Sequence, residues 1–192
     1  MTLSTPSTQT VTVNYHTENQ SASAGSDFEG VSDVLVFNPG ETTKTVVAAV
    51  LGEVVDELDE TYLLKLSGAV TATIADSNGI GTILDNDATT ISAGDAVVVE
   101  ADGAGSQIAF VVSLSTPSDR EVTVAYYQND GTAVSNYASP NPDYMSATGV
   151  LSFAPGQTSQ TVYVIVLGDL IDELDETFSF MLKVPTDATI AD

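Results

Sequence analysis

Apolar and polar residues alternate along much of this chain with a period of two. Val11, Val13 and Tyr15 interleave with Thr10, Thr12 and Asn14, and Val122, Val124 and Tyr126 repeat the pattern. Tyr62, Leu64 and Leu66 alternate with Leu63 and Lys65, and Phe178, Phe180 and Leu182 with Ser179, Met181 and Lys183. Val162, Val164 and Val166 lie opposite Thr161, Tyr163 and Ile165. Side chains two apart share one face of a strand, so this spacing predicts half-buried antiparallel strands. Their β-branched and aromatic content suits a pleated surface. No long run carries the 3.6-residue period of an amphipathic helix. Pro39-Gly40 and Pro155-Gly156 predict tight turns. Short strands punctuated by turns predict a β-sandwich of immunoglobulin-like size. A complete unit reads as strands over 95–100, 108–114, 122–127, 149–153, 161–167 and 177–184, with a closing strand over 79–84.

The pattern occurs twice. Leu3-Ser4-Thr5-Pro6-Ser7 returns as Leu114-Ser115-Thr116-Pro117-Ser118, and Val11-Thr12-Val13 as Val122-Thr123-Val124, both at an offset of 111. Phe37-Asn38-Pro39-Gly40 returns as Phe153-Ala154-Pro155-Gly156, and Ala72-Thr73-Ile74-Ala75-Asp76 as Ala188-Thr189-Ile190-Ala191-Asp192, at an offset of 116. The second copy therefore gains five residues in between, expected in a loop around 138–142. A period this long means tandem domains rather than a short solenoid repeat. The expected domains are 1–89 and 90–192. The first is expected to lack N-terminal strands and the second its C-terminal strand, as in a piece of a longer array.

Between the apolar runs of each copy sits a dense run of acids. Val50-Leu51-Gly52-Glu53-Val54-Val55-Asp56-Glu57-Leu58-Asp59-Glu60-Thr61-Tyr62 matches Val166-Leu167-Gly168-Asp169-Leu170-Ile171-Asp172-Glu173-Leu174-Asp175-Glu176-Thr177-Phe178. The chain as a whole carries 27 acidic residues against 4 basic ones, a net charge of −23. That surface offers no basic patch for phosphates, so nucleic acid is excluded as a partner. It attracts cations. With no cysteine and a single histidine, thiolate chemistry and ordinary zinc sites are excluded, while abundant carboxylate oxygens suit a hard cation such as calcium. No apolar run approaches the length of a membrane-spanning helix, so no direct membrane insertion is expected of this segment.

Calcium takes about six to eight oxygens, more than one loop supplies. In a sandwich the connections at one end converge, so the order of strands brings Glu100, Asp130, Asp143 and the acidic stretch to one pole, with Asp85 and Asp87 at the exit of the closing strand.

Taken together, the motifs resemble the Calx-β domain family, found in sodium–calcium exchanger regulatory regions, integrin β4 and large bacterial surface proteins. The residues that carry the resemblance are Glu100, Asp130-Gly131-Thr132-Ala133, Asp143-Tyr144 and Gly149-x-Leu151-x-Phe153-x-x-Gly156. The acidic stretches and Gly81-Thr82-Ile83-x-Asp85-x-Asp87 complete the set. The resemblance implies calcium ligands at Glu100, Asp143, Asp169, Glu173 and Glu176 in the second copy. In the first it implies Asp27, Glu53, Glu57, Glu60, Asp85 and Asp87. The first copy departs from the pattern by having Ser23-Ala24-Gly25-Ser26-Asp27-Phe28 where the second has Asp143-Tyr144, and by lacking a counterpart of Glu100.

The acids of each stretch sit together in one exposed loop. They lack the apolar pocket that would split their pKa values for acid–base work, so the chain reads as a non-enzyme. The expected function is an all-β, calcium-binding structural or adhesion module of an extracellular or cell-surface protein. Its partners would be calcium ions, neighbouring repeats and a cell-surface or matrix ligand. The alternative is a calcium-sensor pair attached to a transporter or enzyme.

Overall fold

A computed structural model describes residues 1–103, 105–135 and 141–191. Every element in them is a β-strand, and the chain divides into two compact units. The first holds Met1–Glu53 and Leu58–Asp85; the second holds Val54–Glu57 and Asn86–Asp192.

In the first unit, β1 (Val11–Asn19), β2 (Ser32–Phe37), β3 (Glu60–Val70) and β4 (Asn78–Ile83) form one antiparallel sheet in the order β2-β1-β3-β4. Period-two alternation does what it predicts: Val11 and Val13 are buried with Phe37 against Leu3, Leu35 and Leu66, while Asn14 and His16 are exposed. The Pro39-Gly40 turn forms, with Gly40 at a φ of 88° and Glu41 N–H donating to the Asn38 carbonyl at 2.9 Å. Pro155-Gly156 forms the same turn in the second unit, with Gly156 at 78°.

The second unit has two sheets. One orders β12 (Thr189–Ile190), β5 (Thr90–Ala93), β6 (Ser106–Leu114), β10 (Ser159–Val166) and β8 (Tyr144–Met145). The other orders β11 (Phe178–Thr186), β7 (Val122–Asp130) and β9 (Gly149–Phe153). Their inward residues meet in a core of Ile91, Val112, Val122, Val124 and Phe153. A second cluster gathers Ile108, Phe110, Tyr144 and Val164 with Phe178 and Phe180. Here Phe110 stacks on Phe180 at 4.7 Å and Tyr144 on Phe178 at 4.2 Å.

Register sets where the acids go. Phe178 pairs with Asp130, and Val166 pairs with Tyr144. The end of β7, the start of β8 and both ends of the acidic stretch are thereby fixed at one pole of the unit.

One expected strand, and one stretch that matches a strand of the other repeat, come out differently. The stretch 95–100 keeps the in–out alternation, with Ala96 and Val98 packed inward and Val97 and Val99 exposed, yet forms no ladder. The opening strand lies earlier, at β5. The stretch 43–50, which matches β10, has only isolated bridges, Thr2 to Thr43 and Phe28 to Val50. Alternation reports which side is buried; a ladder also needs a neighbouring backbone that stays in register over several residues. Of the five-residue insertion expected around 138–142, residues 138–140 lie outside the described residues.

Candidate metal centre

The second unit assembles all five of the acids expected there. Carboxylate oxygens of Glu100, Asp169 and Glu173 lie within 4.8 Å of one another, and so do those of Asp143, Glu173 and Glu176. Glu173 belongs to both groups. Three separated segments supply these side chains: the one before β6, the one before β8 and the acidic stretch. Asp169 N–H donates to Glu100 at 3.3 Å, and Ile171 N–H donates back to the Asp169 carboxylate at 2.6 Å. Asp143 is held at its backbone by two bonds, its N–H to the Val134 carbonyl at 2.9 Å and its carbonyl from Leu167 N–H at 2.8 Å. Its carboxylate also accepts from Val134 N–H at 2.6 Å.

Such crowding has an electrostatic signature. Partial desolvation, and then the charges of Asp169, Asp143 and Glu100, hold the Glu173 carboxyl above the usual glutamate range. Glu176 is raised in the same way, by desolvation first and by Asp143 next. The unit's two basic side chains are engaged away from these acids. Arg120 pairs with Asp56, Asp119 and Asp187, and the Lys183 ammonium lies 4.5 Å from the centre of the Tyr127 ring. An oxygen-only donor set with unrelieved negative charge fits a hard divalent cation.

In the first unit Asp27 and Glu53 bring carboxylate oxygens within 4.8 Å of each other. The Asp27 carboxylate accepts from Ser23 N–H at 2.6 Å, and its carbonyl accepts from Leu51 N–H at 2.9 Å. Glu60 opens β3, and Asp85 ends the unit with its N–H donating to Asp59 at 3.0 Å. Glu57 and Asp87 fall in the second unit. Among the described residues, Glu60, Asp85 and Asp87 join no three-carboxylate group.

Two acids behave differently from their neighbours in sequence. Asp56, in the middle of the first acidic stretch, is buried and bonded to Arg120. Asp130, expected at the cation pole, accepts from Tyr144 O–H at 2.5 Å and from Ser135 N–H at 3.0 Å. The Tyr144 bond, chiefly, holds the Asp130 carboxyl below its ordinary range. The one signal available in sequence was Tyr144 itself, a buried phenol that needs an acceptor.

A family model described as the Calx-beta domain matches twice, over residues 2–91 and 83–191. The chain belongs to the Calx-β domain family. Among curated relatives, these Calx-β repeats are 26% identical over 196 residues to sodium/calcium exchanger 1 of Canis lupus familiaris. They are 29% identical over 193 residues to sodium/calcium exchanger 2 of Homo sapiens. The matches cover 92% and 90% of the chain but only 20% of each exchanger, so the chain spans about a fifth of their length. Among solved structures, the calcium binding domain CBD12 of CALX1.1 covers 93% of the chain and 68% of its own, at 22% identity and a TM-score of 0.42. The apo-form Calx CBD1 domain covers 42% of the chain and 73% of its own, at 29% identity and a TM-score of 0.40.

These relatives correct one expectation outright. An extracellular or cell-surface location was implied by the surface-protein side of the family, whereas the relatives that match nine-tenths of this Calx-β pair are ion exchangers. Adhesion, and a cell-surface or matrix ligand with it, lose their basis on the same finding.

Proposed function

We propose that this tandem Calx-β pair is a calcium-sensing regulatory module attached to an ion transporter and placed on the cytoplasmic side of its membrane. The observation that carries the reading is the convergence of Glu100, Asp143, Asp169, Glu173 and Glu176 from three segments into two groups that share Glu173. Calcium is the proposed ligand and these five its proposed ligands. The first repeat would contribute a weaker site around Asp27 and Glu53. Glu57, Glu60, Asp85 and Asp87 are carried as further candidates from the motif match. The repeats themselves are taken as domains 1–89 and 90–192.

Support comes from chemistry and from kinship. Bound calcium supplies the positive charge that the loop lacks, and hard oxygen donors are what it prefers. The named relatives are exchangers of calcium, and CBD12 carries calcium binding in its own description.

The test is calorimetry on the 192-residue chain with calcium in a magnesium background. Saturable binding that is lost in Glu173→Gln is expected. Absence of binding at millimolar calcium would sink the reading.

A further inference from the structure

The two repeats share a set of hydrogen bonds that frame their acidic poles. In the second, Thr177 N–H donates to Thr132 Oγ1 at 2.8 Å; in the first, Thr61 N–H donates to Ser21 Oγ at 2.8 Å. Ala133 N–H donates to the Thr177 carbonyl at 3.0 Å, and Ala22 N–H to the Thr61 carbonyl at 3.0 Å. Asp143 and Asp27 each accept at 2.6 Å from the backbone of the preceding turn, Val134 and Ser23. Asp130 accepts from Ser135 N–H at 3.0 Å, and Asn19 from Ala24 N–H at 2.9 Å. The residue after each aspartate is a stacked aromatic, Tyr144 on Phe178 at 4.2 Å and Phe28 on Tyr62 at 4.3 Å.

Within that shared frame one pair differs. Tyr144 O–H donates to the Asp130 carboxylate at 2.5 Å. In the first repeat Phe28 has no hydroxyl, and neutral Asn19 stands where Asp130 does. Both members changed together, so a charged acceptor occurs with a phenol and an amide with a plain ring.

We propose that the Asp130–Tyr144 pair is a positioning brace that fixes Asp143 for cation binding and makes the second repeat's site the tighter of the two. The inference rests on the calcium reading. Tyr144 follows Asp143 directly, so holding its ring at both the face and the hydroxyl restricts the backbone that aims the Asp143 carboxylate. A bond from a phenol to an ionised carboxylate is stronger than a neutral one. The bond uses Asp130 and Tyr144, neither of them in the carboxylate groups, so it occupies none of the proposed ligand oxygens. A ligand ordered before binding loses less freedom when the cation arrives. The first repeat keeps the matching turn bonds but lacks a counterpart of Glu100, so each site is compared with its own wild type.

The test is a calcium titration of the full chain by two-dimensional NMR. The amides of Val134 and Ser135 report on the second site and those of Ser23 and Ala24 on the first. Tyr144→Phe keeps the ring stack and is expected to weaken the second site about fivefold, the worth of one hydrogen bond, with the first unchanged. Asn19→Asp combined with Phe28→Tyr is expected to tighten the first site by a similar factor. Asn19→Asp alone adds the charge without the phenol and is expected to give less of that gain; an equal gain would mean that charge, not the brace, tightens the site. An unchanged second site in Tyr144→Phe, or no gain in the first repeat's double variant, overturns the brace while calcium binding stands. A wild-type chain that binds no calcium removes both.

Discussion

The Arg120 guanidinium lies 2.5 Å from the Asp56 carboxylate, in the second unit, and Asp56 is buried. The other carboxylate oxygen of Asp56 accepts from Thr89 N–H at 2.9 Å, and Arg120 reaches Asp187 at 2.6 Å with its second terminal nitrogen. An acid from the middle of the first acidic stretch is thus fully used as a structural anchor. Arg120→Met should leave that carboxylate buried without its counter-charge, at a cost of about 3 kcal/mol. Denaturant unfolding should show the loss in the second unit's transition. An equal loss in Asp56→Asn combined with Arg120→Met would mean that packing, not the ion pair, matters.

Glu173 is shared by both carboxylate groups, and Glu100 and Glu176 belong to one each. Glu173→Gln should therefore weaken calcium binding more than either Glu100→Gln or Glu176→Gln. Asp175→Asn, at an exposed position outside both groups, should leave binding nearly unchanged. Calorimetry on the four variants gives the ranking.

Calcium affinity should fall as the pH is lowered through the raised carboxyl range of Glu173 and Glu176, because protons compete for the same oxygens. Stability without calcium should move the other way. A carboxyl whose folded pKa exceeds its unfolded value binds its proton more tightly when folded. The calcium-free fold therefore gains stability as pH falls through that range and loses it as pH rises. Thermal midpoints followed downward from neutral pH, with calcium and with a chelator, should shift in opposite directions while the other carboxyls stay ionised.

Phe110 is buried between Phe178 and Phe180, with ring centres 5.8 and 4.7 Å away. Phe110→Ala should cost about 3–4 kcal/mol through lost contacts and the cavity left behind. Because Phe178 directly follows the acidic stretch, the same change should also weaken calcium binding. Phe110→Leu should restore most of the stability.

Much of this protein was legible as sequence. Strand alternation is a local property, so Val11, Val13, Val162 and Val164 could be assigned to the inside without knowing their neighbours. Duplication showed which acids recur, and strand order brought Glu100, Asp143 and the second acidic stretch to one pole, where the structure gathers them. Other features depend on what a side chain meets in space. Asp56 and Asp172 hold the same place in their repeats, yet Asp56 is buried on Arg120 and Asp172 is exposed. Asp130 reads as one more acid at the pole and is instead taken by Tyr144. The stretches 43–50 and 95–100 alternate as strands should, yet the first makes only isolated bridges and the second no ladder. Periodicity and repetition are written in the order of residues, so the sequence alone determined most of the strands, the two repeats and the candidate ligands. Hydrogen-bond partners and counter-charges come from residues distant in the chain, so only the tertiary structure decided which acids gather into the carboxylate groups and which hold the fold.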